Sequence, residues 1–450
     1  MAKPDLYRCT ECGWSGVKWL GQCPECQAWG SVDEVGGVTK ASLQPGRIVT
    51  PARPIAEIDV ESAIARSSGV PELDRVLGGG IVPGAAILLA GEPGVGKSTL
   101  LLAVSAESAK ANMKVLYVTG EESASQVRLR AERLKSLHPN LFLAAESDLG
   151  VLLAHVDQVK PDLLIVDSVQ TISTQSVDGS PGGVTQVREV AGALIRVAKE
   201  RALATIMVGH VTKDGSIAGP RLLEHLVDVV LNFEGEKHTR LRLVRAIKNR
   251  FGATDEVGCF DLNENGIEGL ADPTGLFLSR HSEPVPGTCI TVAMEGRRPL
   301  LAEIQALVGG ASNNTNPRRT TSGLDNARAM MTLAVLELRA GIPLAGRDTY
   351  LATVGGMKLT EPAADLALAL AVGSAAKGFA LPADLIALGE VGLAGEVRKV
   401  NGIQQRLNEA ARLGFTRAIV PDLKGELKIP GMEILEVTRL TTALERVRLK

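Results

Sequence analysis

The sequence predicts an α/β protein built on a parallel sheet, with a small zinc module in front and a second α/β domain behind. Three observations predict it. Gly91–Thr99 (Gly-Glu-Pro-Gly-Val-Gly-Lys-Ser-Thr) fits G-x-x-x-x-G-K-[ST] at every defined position. Apolar strand-like runs then alternate with amphipathic stretches, and several of the runs end in acidic or polar residues. Finally, Cys9-x-x-Cys12 and Cys23-x-x-Cys26 pair up near the start of the chain. In 450 residues this suggests a four-Cys module over 1–35, a linker over 36–63, a phosphate-loop domain over 64–275 and a further α/β domain over 280–450.

The phosphate loop has the flanks that give the pattern meaning. Ala85–Ala90 reads as a short buried strand and Leu100–Lys110 as a helix. In that setting the backbone N–H groups of Gly91, Glu92, Pro93 (which itself lacks one), Gly94, Val95, Gly96 and Thr99 surround phosphates. Lys97 is expected to reach the β- and γ-phosphates of ATP, and Ser98 to hold Mg²⁺.

The cysteine pairs have the spacing of a four-thiolate zinc site. A full set of four leaves no open position, so Zn²⁺ here is expected to be structural. The chain's three tryptophans, Trp14, Trp19 and Trp29, all lie in this module, where metal must stand in for a core. Segment 36–63 holds Pro45, Pro51 and Pro54 and little periodicity, so it reads as a linker.

Further strands follow. Lys114–Thr119 ends in Gly120-Glu121-Glu122. An acid at that place can polarise an attacking water, or it can simply suit the start of the next helix, expected over Ser123–Leu137. Residues 163–167 (Leu-Leu-Ile-Val-Asp) have the form of a Mg²⁺-organising strand, with Asp167 as the outer ligand. Val184–Arg201 reads as an amphipathic helix, and Ala204–Gly209 after it ends in His210, which either senses the γ-phosphate or caps the sheet edge. Polar Gly-containing loops, Ser173–Gly183 and Val211–Pro220, leave the carboxyl ends of these strands, where such sheets place ligands. Both are expected to be mobile.

Thr239–Gly252 carries Arg240, Arg242, Arg245, Lys248 and Arg250 and no acid. Arg240 and Arg242 alternate with leucines and suit the open face of a strand. Lys248-Asn249-Arg250-Phe251-Gly252 follows as a basic turn. It could meet nucleic-acid phosphates, act as a cationic finger on a neighbour's nucleotide, or be solvated.

The last part begins with strand-like Cys289–Met294 and Pro299–Val308. A polar insert over Gly309–Asp325 follows and is expected to be a mobile loop, where Arg318 and Arg319 at its centre either touch nucleic acid or are solvated; helices are expected over Asn326–Ala340, Ala363–Lys377 and Ile403–Leu413. Cys259 and Cys289 have no partner motif and read as buried thiols.

Composition narrows the function. The net charge of −2 leaves nucleic-acid binding to local patches, and 3% aromatics argues against binding by stacking alone. Leu366–Ala376, the longest largely apolar stretch, is too short to span a bilayer, and the N-terminus has no apolar signal core. A cytoplasmic protein without a membrane partner is expected.

The order of cysteine pairs, Gly91–Thr99, Tyr117–Glu122, Leu163–Asp167, Lys248–Gly252 and the final part resembles the bacterial RadA (Sms) DNA-repair family over nearly the whole chain. The Lys-Asn-Arg-Phe-Gly pentad is that family's signature. The resemblance implies a RecA-like P-loop ATPase core, of the type in hexameric helicases. It implies Glu121 or Glu122 as catalytic carboxylate, and Lys248 and Arg250 acting across a subunit interface. It also implies a homo-oligomeric ring, a hexamer, that takes single-stranded and branched DNA at the two loops and works with a RecA-type recombinase. The tail resembles the proteolytic domain of Lon-type proteases, but Ala363 stands where the nucleophilic Ser would be and Gln404 where the Lys would be. Without hydroxyl or amine there is no nucleophile and no base, so an inactive scaffold is expected. Three activities remain in contention: a DNA-dependent ATPase driving branch migration, an ATP-dependent protease, disfavoured by Ala363 and Gln404, and an ATP-switched scaffold.

Overall fold

The computed structural model describes residues 7–34, 52–57, 64–210, 220–235, 240–279, 283–310, 317–425 and 427–448. The chain divides into two compact units, Met1–Asp59 and Val60–Lys450. Residues 211–219 of the loop expected over Val211–Pro220, and most of the expected linker, lie outside the described residues.

The first unit is a three-stranded antiparallel sheet of β1 (Tyr7–Cys9), β2 (Ser15–Gly16) and β3 (Val32–Glu34), with β1 in the middle. Its buried core is Cys9, Cys23 and Val32, with Tyr7 and Trp14 packed against them. So small a core needs a metal to hold it.

In the second unit, α1 (Pro71–Leu77) precedes β4 (Ala86–Gly91), α2 (Lys97–Lys110), β5 (Val115–Thr119), α3 (Ala124–Arg133), β6 (Leu141–Ala145), α4 (Leu149–Val159), β7 (Leu163–Asp167), α5 (Val184–Arg201), β8 (Ala204–His210), the short α6 (Pro220–Leu223) and β9 (Val229–Glu234). Then come β10 (Leu241–Asn249), β11 (Val257–Asn263) and β12 (Gly266–Gly269). These nine strands form one sheet in the order β12-β11-β10-β9-β4-β8-β7-β5-β6, parallel from β9 to β6 and antiparallel from β9 to β12.

The side chains of β4 alternate between two cores. Ile87 and Leu89 join Leu100, Leu101 and Val104 of α2, whereas Ala86 and Leu88 join Leu152 of α4 and Val190 and Leu194 of α5. A continuous apolar run is what a strand covered on both faces requires. Chain neighbours β4 and β5 are separated in the sheet by β8 and β7, and the helices that follow the adjacent strands β4 and β8, α2 and α6, pack on opposite faces of the sheet. Ligand crevices form at such a point, outside the carboxyl ends of the strands. Helix α3 stops at Arg133, short of the expected Leu137, because Lys135 takes a left-handed φ of 53°.

The tail follows in the same unit: β13 (Thr288–Glu295), β14 (Arg298–Val308), β15 (Arg319–Ser322), α7 (Asn326–Ala340), β16 (Thr349–Thr353), α8 (Asp365–Lys377), β17 (Leu385–Ala387), β18 (Glu390–Val391), β19 (Val397–Arg398), α9 (Ile403–Arg412), β20 (Arg417–Pro421), β21 (Glu433–Val437) and α10 (Leu440–Arg448). Its seven-stranded sheet runs β15-β16-β14-β13-β17-β20-β21. Helix α8 is apolar all round, and its whole run from Asp365 to Ser374 is buried. Arg319 corrects the reading of 309–325 as a loop throughout, since it opens β15, pairs with Thr349 and lies 3.7 Å from Glu337. Cys259 and Cys289 are buried, as expected, and burial pushes their thiols up to about 11 and about 12.

No described helix is long and apolar enough to cross a membrane.

Candidate nucleotide and metal sites

The phosphate loop joins β4 to α2. Gly91 is held tight, since a Cβ there would lie 2.5 Å from the Phe233 carbonyl oxygen. Gly94 opens to free space at a φ of 79°. Helix α2 starts at Lys97 behind Gly96, and no side chain caps it. Its first N–H groups are therefore left for an anion. Lys97 Nζ donates to the carbonyls of Gly91 and Glu92 at 2.8 and 3.0 Å. Burial lowers its pKa, and the charges of Asp167 and Glu121 oppose that shift.

The acids sit on neighbouring strand ends. Asp167, 8% exposed, ends β7 and accepts a hydrogen bond from Tyr117 Oη at 2.6 Å. Just beyond β5, Glu121 Oε1 accepts from Ser168 Oγ at 2.7 Å and lies 3.2 Å from His210 Nε2. Glu122 turns away to pair with Arg130 of α3. Among the described residues, His210 Nδ1 and Gln170 Oε1 are buried without a partner. An open cradle, uncapped helix N–H groups, a buried ammonium and adjacent carboxylates fit a nucleoside triphosphate and Mg²⁺.

The basic stretch does not form one face. Arg242 is 6% exposed and donates from Nε to the Val95 carbonyl at 3.0 Å, bracing the phosphate loop from below. It therefore sits on the buried side of β10, not on an open face. Arg240 pairs with Asp261, and Arg245 with Glu234 and Glu295. Lys248 Nζ donates to the carbonyls of Glu224 and Val227, both at 2.8 Å. Asn249 Nδ2 donates to the Val76 carbonyl, and its Oδ1 accepts from Phe251 N. A Cβ on Gly252 would come within 3.0 Å of Gly78 Cα, which is why the turn closes on glycine. A bulge between Ala246 and Lys248 turns Ile247 outward, leaving Ile247, Arg250 and Phe251 exposed together.

The loop 173–183 is tied down, against the expectation of mobility. The Gln186 side chain donates to the carbonyls of Thr174 and Val177 and accepts from Thr174 N.

The four cysteine sulfurs lie within 4.8 Å of one another, with Cys9–Cys26 at 3.7 Å and Cys12–Cys23 at 3.6 Å. Zinc with Zn–S bonds of about 2.3 Å needs S–S edges of about 3.8 Å, so the set fits tetrahedral Zn²⁺.

Three family models match. They are described as an AAA domain (residues 51–216), a rubredoxin metal binding domain (7–34) and subunit ChlI of Mg-chelatase (354–424). The chain is 53% identical to DNA repair protein RadA of Mycolicibacterium smegmatis, covering 98% of this chain and 96% of that one. To the RadA proteins of Pseudomonas aeruginosa and Halalkalibacterium halodurans it is 47% and 44% identical, each over 98% of both chains. The chain belongs to the RadA DNA-repair family. As a RadA-family protein it combines a zinc ribbon, an ATPase core that uses ATP and Mg²⁺, and a Lon-like tail.

In the tail, the positions expected for a protease's nucleophile and base are filled differently. Ala363 is buried and Gln404 is exposed on α9. Arg406, 2% exposed, forms a two-pronged pair with Glu361 at 2.7 and 2.6 Å, and Glu361 also accepts from Met294 N. Sequence reasoning missed Tyr117, Ser168 and Glu361 and put Arg242 on the wrong face of its strand. The first three depend on partners 45 to 50 residues away in the chain.

Proposed function

We propose that the chain is a DNA-dependent ATPase that works as a ring, moves along single-stranded DNA and drives branch migration of recombination intermediates. The carrying observation is the place of the pentad. Asn249 pairs with Val229, which pairs with Ile87 at the start of β4, whereas Gly91 at the other end pairs with Phe233. At about 3.3 Å per residue the pentad lies about 13 Å or more from its own phosphate loop. A cation there can serve a nucleotide only in a neighbour. Exposed Ile247 and Phe251 beside Arg250 suit a subunit interface.

In this reading Lys97 leaves its own loop carbonyls for the β- and γ-phosphates, and Ser98 and Asp167 hold Mg²⁺. When bound, that ion neutralises charge on the phosphates. Glu121 takes the proton of the attacking water. Ser168 orients its carboxylate, and His210 links it to the γ-phosphate. Arg250 reaches the adjoining subunit's nucleotide. Lys248 ties the pentad to the carbonyls after α6, the helix that closes the 211–220 loop, so nucleotide state can move a DNA-facing loop. Zn²⁺ holds the ribbon together. A RecA-type recombinase is the partner that the family resemblance suggests.

The test is ATP turnover with and without single-stranded DNA in the wild type and Lys248→Ala. DNA stimulation lost in the variant, with ATP binding kept, supports the reading. Wild-type turnover indifferent to single-stranded DNA overturns it in favour of an ATP-switched scaffold.

A further inference from the structure

Tyr117 lies in the middle of β5, 2% exposed, and carries a phenol between the apolar residues Leu116 and Val118. Its ring is one wall of a cavity of about 640 Å³ that Leu102, Val127, Leu141 and Leu143 also line. The hydroxyl, at the other end of the ring, is 2.6 Å from Asp167 Oδ2. Among the described residues that is the hydroxyl's one hydrogen bond, and none engages Asp167 Oδ1. A buried phenol is costly unless its hydroxyl is satisfied, and a phenylalanine would fill the same apolar wall. The hydroxyl is therefore present for Asp167.

We propose that Tyr117 is a positioning residue for the cation site: by holding Oδ2 it fixes the Asp167 carboxylate so that Oδ1 faces the phosphate loop. This rests on the reading of Asp167 as a Mg²⁺ ligand. A carboxylate on a single bond rotates freely about χ2, and the phenol removes that freedom from one side. It also lowers the charge density on Oδ2, so that Oδ1 is the oxygen left to meet the cation. Outer partners of this kind typically change metal affinity by 10–100-fold.

The test uses full-length Tyr117→Phe beside Asp167→Asn. Binding of a fluorescent ATP analogue is titrated against Mg²⁺ and repeated in EDTA, with Mn²⁺ as a paramagnetic probe of direct cation binding. The expected result for Tyr117→Phe is a rise of roughly tenfold or more in the Mg²⁺ needed for half-maximal binding. The EDTA affinity stays unchanged, and Mn²⁺ binding weakens in parallel. An unchanged Mg²⁺ dependence, or a fall in EDTA affinity equal to that in Mg²⁺, overturns the proposal, because the hydroxyl then serves only folding. If instead Asp167→Asn keeps the wild-type Mg²⁺ dependence, the assignment of Asp167 itself fails.

Discussion

Glu121 and Ser168 meet at 2.7 Å across the ends of two neighbouring strands, and this contact separates two adjacent acids that look alike in the sequence. Ser168 and His210 share the Oε1 of Glu121. Glu122 is committed to Arg130, and its amide donates to Thr119 Oγ1 at the entry to α3. A general base contributes about 10²–10⁴-fold to rate. Glu121→Gln should therefore lower ATP turnover by roughly 100-fold or more while nucleotide affinity is kept. Glu122→Gln should stay within a few-fold of wild type and lower the melting temperature slightly. Single-turnover hydrolysis with binding measured separately distinguishes them, and equal losses from both substitutions would sink the assignment.

Arg250 leads to a complementation test. Its guanidinium is 59% exposed and held loosely, 3.5 Å from Asp228. A cation that completes a neighbour's site is worth about 10³–10⁵-fold in turnover. Arg250→Ala and Lys97→Ala should each abolish hydrolysis alone. Mixed after dissociation and reassembly, they should regain a measurable fraction, because some interfaces pair an intact phosphate loop with an intact Arg250. No recovery in rings shown to contain both chains would place Arg250 in its own subunit's chemistry.

The fold was legible where periodicity was strong. Helix α5 over Val184–Arg201 and α7 over Asn326–Ala340 were read to the residue because their apolar stripes are bounded by polar or glycine segments. The phosphate loop and cysteine pairs were legible because their chemistry is local. Arg242 was misread because alternation alone does not say which face of an antiparallel strand is covered. Arg319 was misread because a four-residue edge strand of Arg-Thr-Thr-Ser has no apolar signal. Lys248 and Asn249 were legible as a motif but not as a structure. Their partners, Glu224, Val227 and Val76, are carbonyls, and a sequence gives no hint of which carbonyl a side chain will meet.

The motor and tail are joined by a buried ion pair. Arg298 of β14 and Glu72 of α1 are 8% and 3% exposed, and Arg298 also donates to the carbonyls of Leu270 and Ala271. Glu72 in turn accepts from Cys259 N. Removing one partner of a buried pair leaves an uncompensated charge and costs about 3–5 kcal/mol. Arg298→Met and Glu72→Gln should each destabilise strongly, and the double variant should be far less destabilised than the sum. Thermal unfolding gives the coupling, and simple additivity would mean that the two groups do not depend on each other.

Zinc removal has an optical readout confined to one module. Trp14, Trp19 and Trp29 all lie in the ribbon, and Trp19 Nε1 donates to the Val32 carbonyl. With only Cys9, Cys23 and Val32 as buried core, metal-free ribbon should unfold. A strong chelator, or Cys12→Ser, should release one zinc per chain and shift the tryptophan emission to the red. ATP binding, which belongs to the second unit, should remain. Loss of ATP binding in step with zinc would show that the phosphate loop depends on the ribbon.

Asp384 gives a pH signature in the tail. It immediately precedes β17, and Arg417, which opens β20, hydrogen-bonds it through Nε at 3.1 and 3.0 Å and through Nη2. The Arg417 guanidinium holds the Asp384 carboxyl down at about 2, below its ordinary 3.8. A depressed carboxylate stabilises the fold above its unfolded value and loses that contribution as pH falls through its folded value. The contribution should thus be complete above about pH 4 and gone below about pH 2. The pair is about one-third exposed, so solvent screening keeps its worth to about 1 kcal/mol or less. Asp384→Asn should lower the melting temperature by a few degrees at pH 7. The gap from wild type should be nearly as large at pH 5 and should narrow from about pH 4 downward. A gap independent of pH down to about 2 would mean that the side chain acts there by hydrogen bonding alone, and not through its charge.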